Sequence, residues 1–111
     1  LFDAHATLEE KCWHQMHQCY DPEIPVDIVD LGLIYDLNLS KNQSDGSLHH
    51  AYVTMTLTSP TCGMGPVIIE EVKRKVHKID GIEQVTVELV FEPPWSREHM
   101  SQAAKLKLGL M

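Results

Sequence analysis

The sequence predicts an α+β domain of two layers, with elements in the order αββαβα and a small three-stranded mixed sheet on which the helices pack. Three observations predict it. Residues 33–39, 48–58 and 84–91 alternate apolar and polar side chains with the period of a half-buried strand. Stretches before, between and after them repeat apolar residues every three or four positions, the period of a helix. Turn chemistry joins the first two strands, whereas a helix separates the second from the third, so a hairpin is followed by a crossover.

The first helix opens at Thr7-Leu8-Glu9-Glu10, a capping-box pattern with Thr7 as N-cap and Glu10 reaching back. Leu8, Cys12, Met16 and Cys19 then form one apolar stripe. The helix is expected to stop near Tyr20, because Asp21 precedes Pro22 and a residue before proline avoids the α region. Pro22 and Pro25 make "DPEIP" an extended, stiff link.

In the first strand Leu33, Tyr35, Leu37 and Leu39 oppose Ile34, Asp36 and Asn38. "SKNQSDGS" supplies the turn, with Asp45-Gly46 its strongest signal. The second strand sets Ala51, Val53, Met55 and Leu57 against Tyr52, Thr54, Thr56 and Thr58. Ile68, Val72, Val76 and Ile79 predict a helix over 66–79, with Pro66 suited to its first turn and Asp80-Gly81 ending it. Val85, Val87, Leu89 and Phe91 alternate in the third strand. After "EPPW", Ser96 is expected to cap a last helix carrying Met100, Ala103, Ala104 and Leu108, with Gly109 as its stop.

At 111 residues, 43% apolar and 23% charged, residues 1–111 read as one domain with one core. Beginning at Leu1 rather than Met leaves open a cut from something longer. No apolar run approaches the roughly 18 residues of a membrane span, so no membrane role is expected. The net charge of −7, with Lys73, Arg74, Lys75 and Lys78 clustered on one helix as a solvated face, argues against nucleic-acid binding. Three cysteines, an odd count without CxxC, suit reduced thiols and a cytoplasmic setting.

Several residue types could carry chemistry. Cys12 and Cys19, seven apart, would lie about 10.5 Å apart along a helix, too far for a disulfide, and are read as core. His14 and His17 have metal-compatible spacing without a reinforcing motif, and His49 and His50 would point to opposite faces of a strand. Asp21, Glu23, Asp27, Asp30 and Asp36 crowd one segment, for acid–base work, a hard cation, or simply capping and turning.

Cys62 stands apart, between a strand end and a helix start. Free N–H groups and the helix dipole favour a thiolate there. Gly63 and Gly65 allow close approach, Pro60 and Pro66 fix the path, and Thr58, Ser59 and Thr61 add hydroxyls. These surroundings favour a functional thiol over a packing role. One cysteine cannot complete a cluster or zinc site, which takes about four ligands. A cysteine nucleophile would need a histidine base that the sequence does not place within reach. A site shared across a homodimer or partner, transient ligation, and redox chemistry remain.

"DPEIPVDIVDLGLIYDLNL", "TLTSPTC" and "FEPPWSREHMSQAAKLKLG" together resemble the SufT/PaaD family of iron–sulfur assembly factors, over about residues 8 to 110. The resemblance implies the same αββαβα fold and a role in maturing or delivering iron–sulfur clusters to apo-proteins, without metabolite turnover. It implies that Cys62 is the reactive thiol, a transient ligand of iron or an iron–sulfur cluster. Asp21 and Glu23 correspond to the family's acidic motif, and Thr58, Thr61 and Gly63 belong to the cysteine loop. Pro93, Pro94 and Trp95 form an aromatic–proline corner for partner contact. Gly63 stands where many members have proline. The implied partners are the assembly machinery and its apo-protein clients. Two other readings are a thiol enzyme with Cys62 as nucleophile and a pure interaction module docking through Trp95 and the acidic loop.

Overall fold

A computed structural model describes residues 7–20, 26–44, 46, 48–58 and 65–109. In chain order the elements are α1 (Leu8–Met16), β1 (Ile34–Lys41), β2 (His49–Met55), α2 (Gly65–His77), β3 (Ile82–Leu89), a 3-10 turn (Arg97–His99) and α3 (Gln102–Lys107). This is the α+β order the sequence predicts. The sheet runs β1-β2-β3, antiparallel across the first pair and parallel across the second. The parallel pair follows from the α2 crossover, since a hairpin cannot return a strand in the same direction.

The capping box at α1 is present: Thr7 Oγ1 accepts from the Glu10 amide at 3.1 Å, and Glu10 Oε1 accepts from the Thr7 amide at 3.4 Å. The helix ends at Met16, earlier than the predicted stop near Tyr20. Gln18 and Cys19 donate to the carbonyls of Gln15 and Met16, three residues back, which tightens the last turn. The chain must then become extended for Tyr20, which pairs with Asp27 in an isolated antiparallel bridge. Cys19 therefore lies beyond the helix, yet it is as fully buried as Cys12 and Met16.

In β2, Ala51, Val53 and Met55 are buried while Tyr52 between them is exposed, so the predicted alternation decides which face meets the core. Ile68, Val72 and Val76 present the matching stripe of α2. The opposite flank of α2 is solvated: Glu71 lies 3.2 Å from Lys75 and 3.3 Å from Arg74. Those pairs, led by the hydrogen bond from Lys75, hold the Glu71 carboxyl below its ordinary value. His50 and Tyr52 stack on the outer face of the sheet at 4.0 Å, with His50 Nε2 2.7 Å from Thr86 Oγ1.

The C-terminal part differs from expectation. The predicted single helix capped by Ser96 is two pieces, separated by an extended Met100 (φ −66°, ψ 144°). Extension there buries the Met100 side chain and frees the Ser101 amide to reach the Asp30 carbonyl at 2.8 Å. Ser101, not Ser96, is the N-cap of α3, its Oγ accepting from the Ala104 amide at 3.1 Å. Among the described residues no helix is long and apolar enough to cross a membrane.

Candidate functional site

Asp21, Glu23, Thr61, Cys62 and Gly63 lie outside the described residues. The structure does define where their two segments are rooted. Segment 21–25 leaves from Tyr20 and returns at Val26, and its ends are tied by the Tyr20–Asp27 bridge and by the Ile28 amide donating to the Cys19 carbonyl at 2.9 Å. Segment 59–64 leaves from Thr58, partly buried just past β2, and ends at Gly65, the first residue of α2.

Between these roots lies the turn 27–33, and Asp27 organises it. Its Oδ1 accepts from the amides of Val29 and Asp30, each at 3.0 Å, as an N-cap carboxylate does at the start of a helix. The Asp27 carbonyl takes the Leu31 amide, and Gly32 and Leu33 donate to Val29 and Ile28, all at 3.0 Å. His17 Nδ1 approaches the same Asp27 Oδ1 at 3.0 Å. Burial pushes the Asp27 carboxyl above its ordinary value, opposed chiefly by the backbone hydrogen bond from Asp30. One ligand atom each from His17, Asp27 and Asp30 falls within 4.8 Å of the others. Nitrogen and oxygen donors of this kind suit a divalent cation. Asp27 Oδ1 is already engaged with two amides and His17, so its evident work is to cap the turn.

The far side of the turn is gripped by the C-terminal segment. Ser101 donates to the Asp30 carbonyl, and the Trp95 indole Nε1 donates to the Leu31 carbonyl at 2.7 Å. Gly32, at φ +81°, lies against the His99 backbone so closely that a Cβ would overlap its carbonyl group. Three consecutive residues, 30 to 32, are thus held by three residues of one strap. Tyr35 fastens the strap again: its hydroxyl donates to the Pro93 carbonyl at 2.7 Å, and its ring stacks on His99 at 5.7 Å. Next in the chain, the Leu33 carbonyl accepts from the Thr56 amide at 2.8 Å, two residues before Thr58. The Thr56 side chain is fully buried, and its Oγ1 has no partner among the described residues. The turn 27–33 therefore meets the root of segment 21–25 at one end and the root of segment 59–64 at the other.

Of the predicted corner, Pro93 and Pro94 are exposed, whereas Trp95 is half-buried and points its N–H inward. Of the two α1-region histidines, His17 faces Asp27. Asp36 caps the Leu37 amide at 2.9 Å and remains exposed. Cys12 and Cys19 are free and inaccessible, and burial pushes each thiol up to about 11. Neither sulfur can serve as a ligand without leaving the core. Sequence reasoning missed the turn as an organiser, although Asp27 followed five residues later by Gly32 is the spacing of a capped single turn closed by a left-handed residue.

The fold, with its capped turn at residues 27–33 and with Cys12 and Cys19 buried in the core, defines the class: a small α+β domain of one mixed three-stranded sheet and its helices. The family described as "Iron-sulfur cluster assembly protein" matches residues 9–89, and the chain belongs to that family. It is 43% identical over 103 residues to a protein of Porphyromonas gingivalis (strain ATCC BAA-308 / W83) named "Fe-S protein maturation auxiliary factor", covering 93% of this chain and 92% of the relative. It is 43% identical over 90 residues to the Staphylococcus aureus (strain USA300) "Fe-S protein maturation auxiliary factor SufT", covering 81% and 96%. The fold is similar to a crystal structure of "Domain of Unknown Function DUF59" from Bacillus anthracis, with a TM-score of 0.77 and 37% identity over 94% of this chain and 93% of that one.

Proposed function

We propose that this protein is an accessory factor in iron–sulfur protein maturation, assisting delivery of clusters to apo-proteins without turning over a metabolite. The observation that carries this reading is the near end-to-end similarity to proteins named as maturation auxiliary factors. Cys62 is the working residue, a transient ligand to the iron or cluster, which is cargo and not a resident cofactor. The cysteine inventory supports transience. Two of the three thiols are core residues, and a cluster takes about four ligands, so the remainder must come from a donor, a client or a second copy of the chain. Asp21, Glu23, Thr58, Thr61 and Gly63 shape the surroundings of that thiol, and the partners are the assembly machinery and its clients.

Replacing the Cys62 sulfur by a hydroxyl tests the proposal. Cys62→Ser should fold with the melting temperature of the parent and fail to support the activity of iron–sulfur client enzymes in cells lacking the native protein. Normal client activity in that strain overturns it.

A further inference from the structure

The sheet has two outer strands, and they are finished differently. On β1 the ladder is irregular between Ile34 and Asp36, and the Asp36 carboxylate accepts from the Leu37 amide at 2.9 Å. A bulge and a charged side chain are among the usual means of blunting an exposed edge. On β3 the Val90 amide donates to the Met55 carbonyl at 2.8 Å. Alternate residues of a strand bond the same neighbour, so Gln84, Thr86 and Glu88 face β2, while Val85, Val87 and Leu89 turn their amides and carbonyls outward. His77 Nε2, 3.2 Å from the Glu83 carbonyl, covers the first outward position. Beyond it no described residue takes the outward groups of Val85, Val87 or Leu89. The strand, IEQVTVEL, holds no proline, glycine or lysine to discourage pairing. Its apolar side chains are also incompletely covered: Val85, Val87 and Leu89 are partly exposed, whereas their ladder partners Ala51, Val53 and Met55 are buried.

We propose that this edge is an interface with a second copy of the chain, the two β3 strands pairing antiparallel about a two-fold axis at Thr86 to make one continuous sheet. The strand is self-complementary about that residue. Val85 of one copy lies opposite Val87 of the other, so the partly exposed apolar side chains cover one another. Gln84 lies opposite Glu88, so each carboxylate meets a carboxamide donor and not a second carboxylate. Sliding one strand by two residues puts Glu88 opposite Ile82 or Thr86 and loses that match. Charge favours the same side of the molecule. Each copy carries −7, so two copies must meet where acidic charge is offset. Glu70, Lys73 and His77 form one stripe of α2, and His77 reaches the β3 edge. Lys73, Arg74, Lys75 and Lys78, four of the nine Lys and Arg residues, gather on or just past that helix. The inference stands apart from the proposed function, since it uses none of the residues assigned there.

Sedimentation of the intact chain tests it. A dimer should be present at about 100 μM and should dissociate on dilution. Gln84→Glu sets two carboxylates opposite each other twice per dimer and should weaken it about threefold or more, whereas Gln84→Lys should tighten it by a similar factor. Asn38→Glu and Asn38→Lys, exposed positions on β1, make the same charge changes away from the axis and should do much less. Register is read by cross-linking. Opposed residues of a pair without hydrogen bonds lie about 4.5 Å apart at Cα, within disulfide reach. Thr86→Cys in a Cys62→Ser background should therefore form a disulfide-linked dimer with diamide, and Asn38→Cys in the same background should not. Cys12 and Cys19 are buried and stay out of the reaction.

A chain that remains monomeric at about 100 μM overturns the proposal. So does a dimer that responds to the Asn38 changes as strongly as to those at Gln84, or one that Thr86→Cys fails to cross-link, because either places the contact on another face.

Discussion

Two glycine turns close the sheet at opposite ends of β2, and they are wired differently. At the His49 end, Gly81 (φ +99°) accepts the His49 amide at 2.7 Å, and the turn beside it is held by three-residue bonds from Ile79 to Val76 and from Ile82 to Ile79. Nearly everything that shapes this turn is its own neighbour in sequence. At the Met55 end, Gly32 sits in a turn held from outside by Thr56, Trp95, His99 and Ser101. The first turn joins two elements. The second is held by two distant parts of the chain, the end of β2 and the C-terminal strap of Trp95, His99 and Ser101.

The largest test of that difference is alanine at each glycine. Gly32→Ala combines a left-handed φ with overlap on a backbone that cannot step aside, and should cost about 3 kcal/mol or more by chemical denaturation. Gly81→Ala meets the backbone strain of φ +99° and should cost about 1–2 kcal/mol. Equal losses would mean that the strap gives way easily and the contrast between the turns is false.

A smaller effect is expected at the cap. Asp27→Ala leaves the Val29 and Asp30 amides without their acceptor and should cost about 1–2 kcal/mol. Asp27→Asn keeps an oxygen for both amides and removes a buried charge. Because the folded carboxyl is raised above its ordinary 3.8, its favourable contribution is complete below that pH and is lost as pH rises through the folded value. Asn should therefore match or exceed Asp in stability at pH 7, with the difference vanishing as the pH is lowered into the ordinary aspartate range. A deficit for Asn that appears only as the pH rises above that range would show that His17 needs a charged partner. The smallest effect belongs to the solvated flank of α2, where Glu71→Gln should change stability by about 0.5 kcal/mol or less, and less still in high salt.

Local pattern made the elements legible. The capping box at Thr7 and Glu10, the alternation around Tyr52 and the stripe of Ile68, Val72 and Val76 each involve neighbours within four positions, and each stands as read. Element ends were less legible because they answer to distant partners. Cys19 leaves α1 since Tyr20 must pair with Asp27, and the last helix breaks at Met100 since Ser101 must reach Asp30. Of the candidate site, the sequence pointed to Asp27, Asp30 and Trp95 as separate features. That all three serve one turn was invisible, because no periodicity links residues 58 or 64 positions apart.

The strap also orders events in folding. The hairpin of β1 and β2 closes over a short connection and can form early, and β3 joins it after the α2 crossover. The contact of Trp95 with Leu31 encloses a loop of more than half the chain, so its entropy of closure is met only once the sheet has shortened the path. The turn 27–33 is thus expected to take its final shape late, after the sheet. Until it does, the Leu31 and Leu33 carbonyls lack the partners that tie the turn to Trp95 and Thr56, so that tie arrives together with completion of the fold.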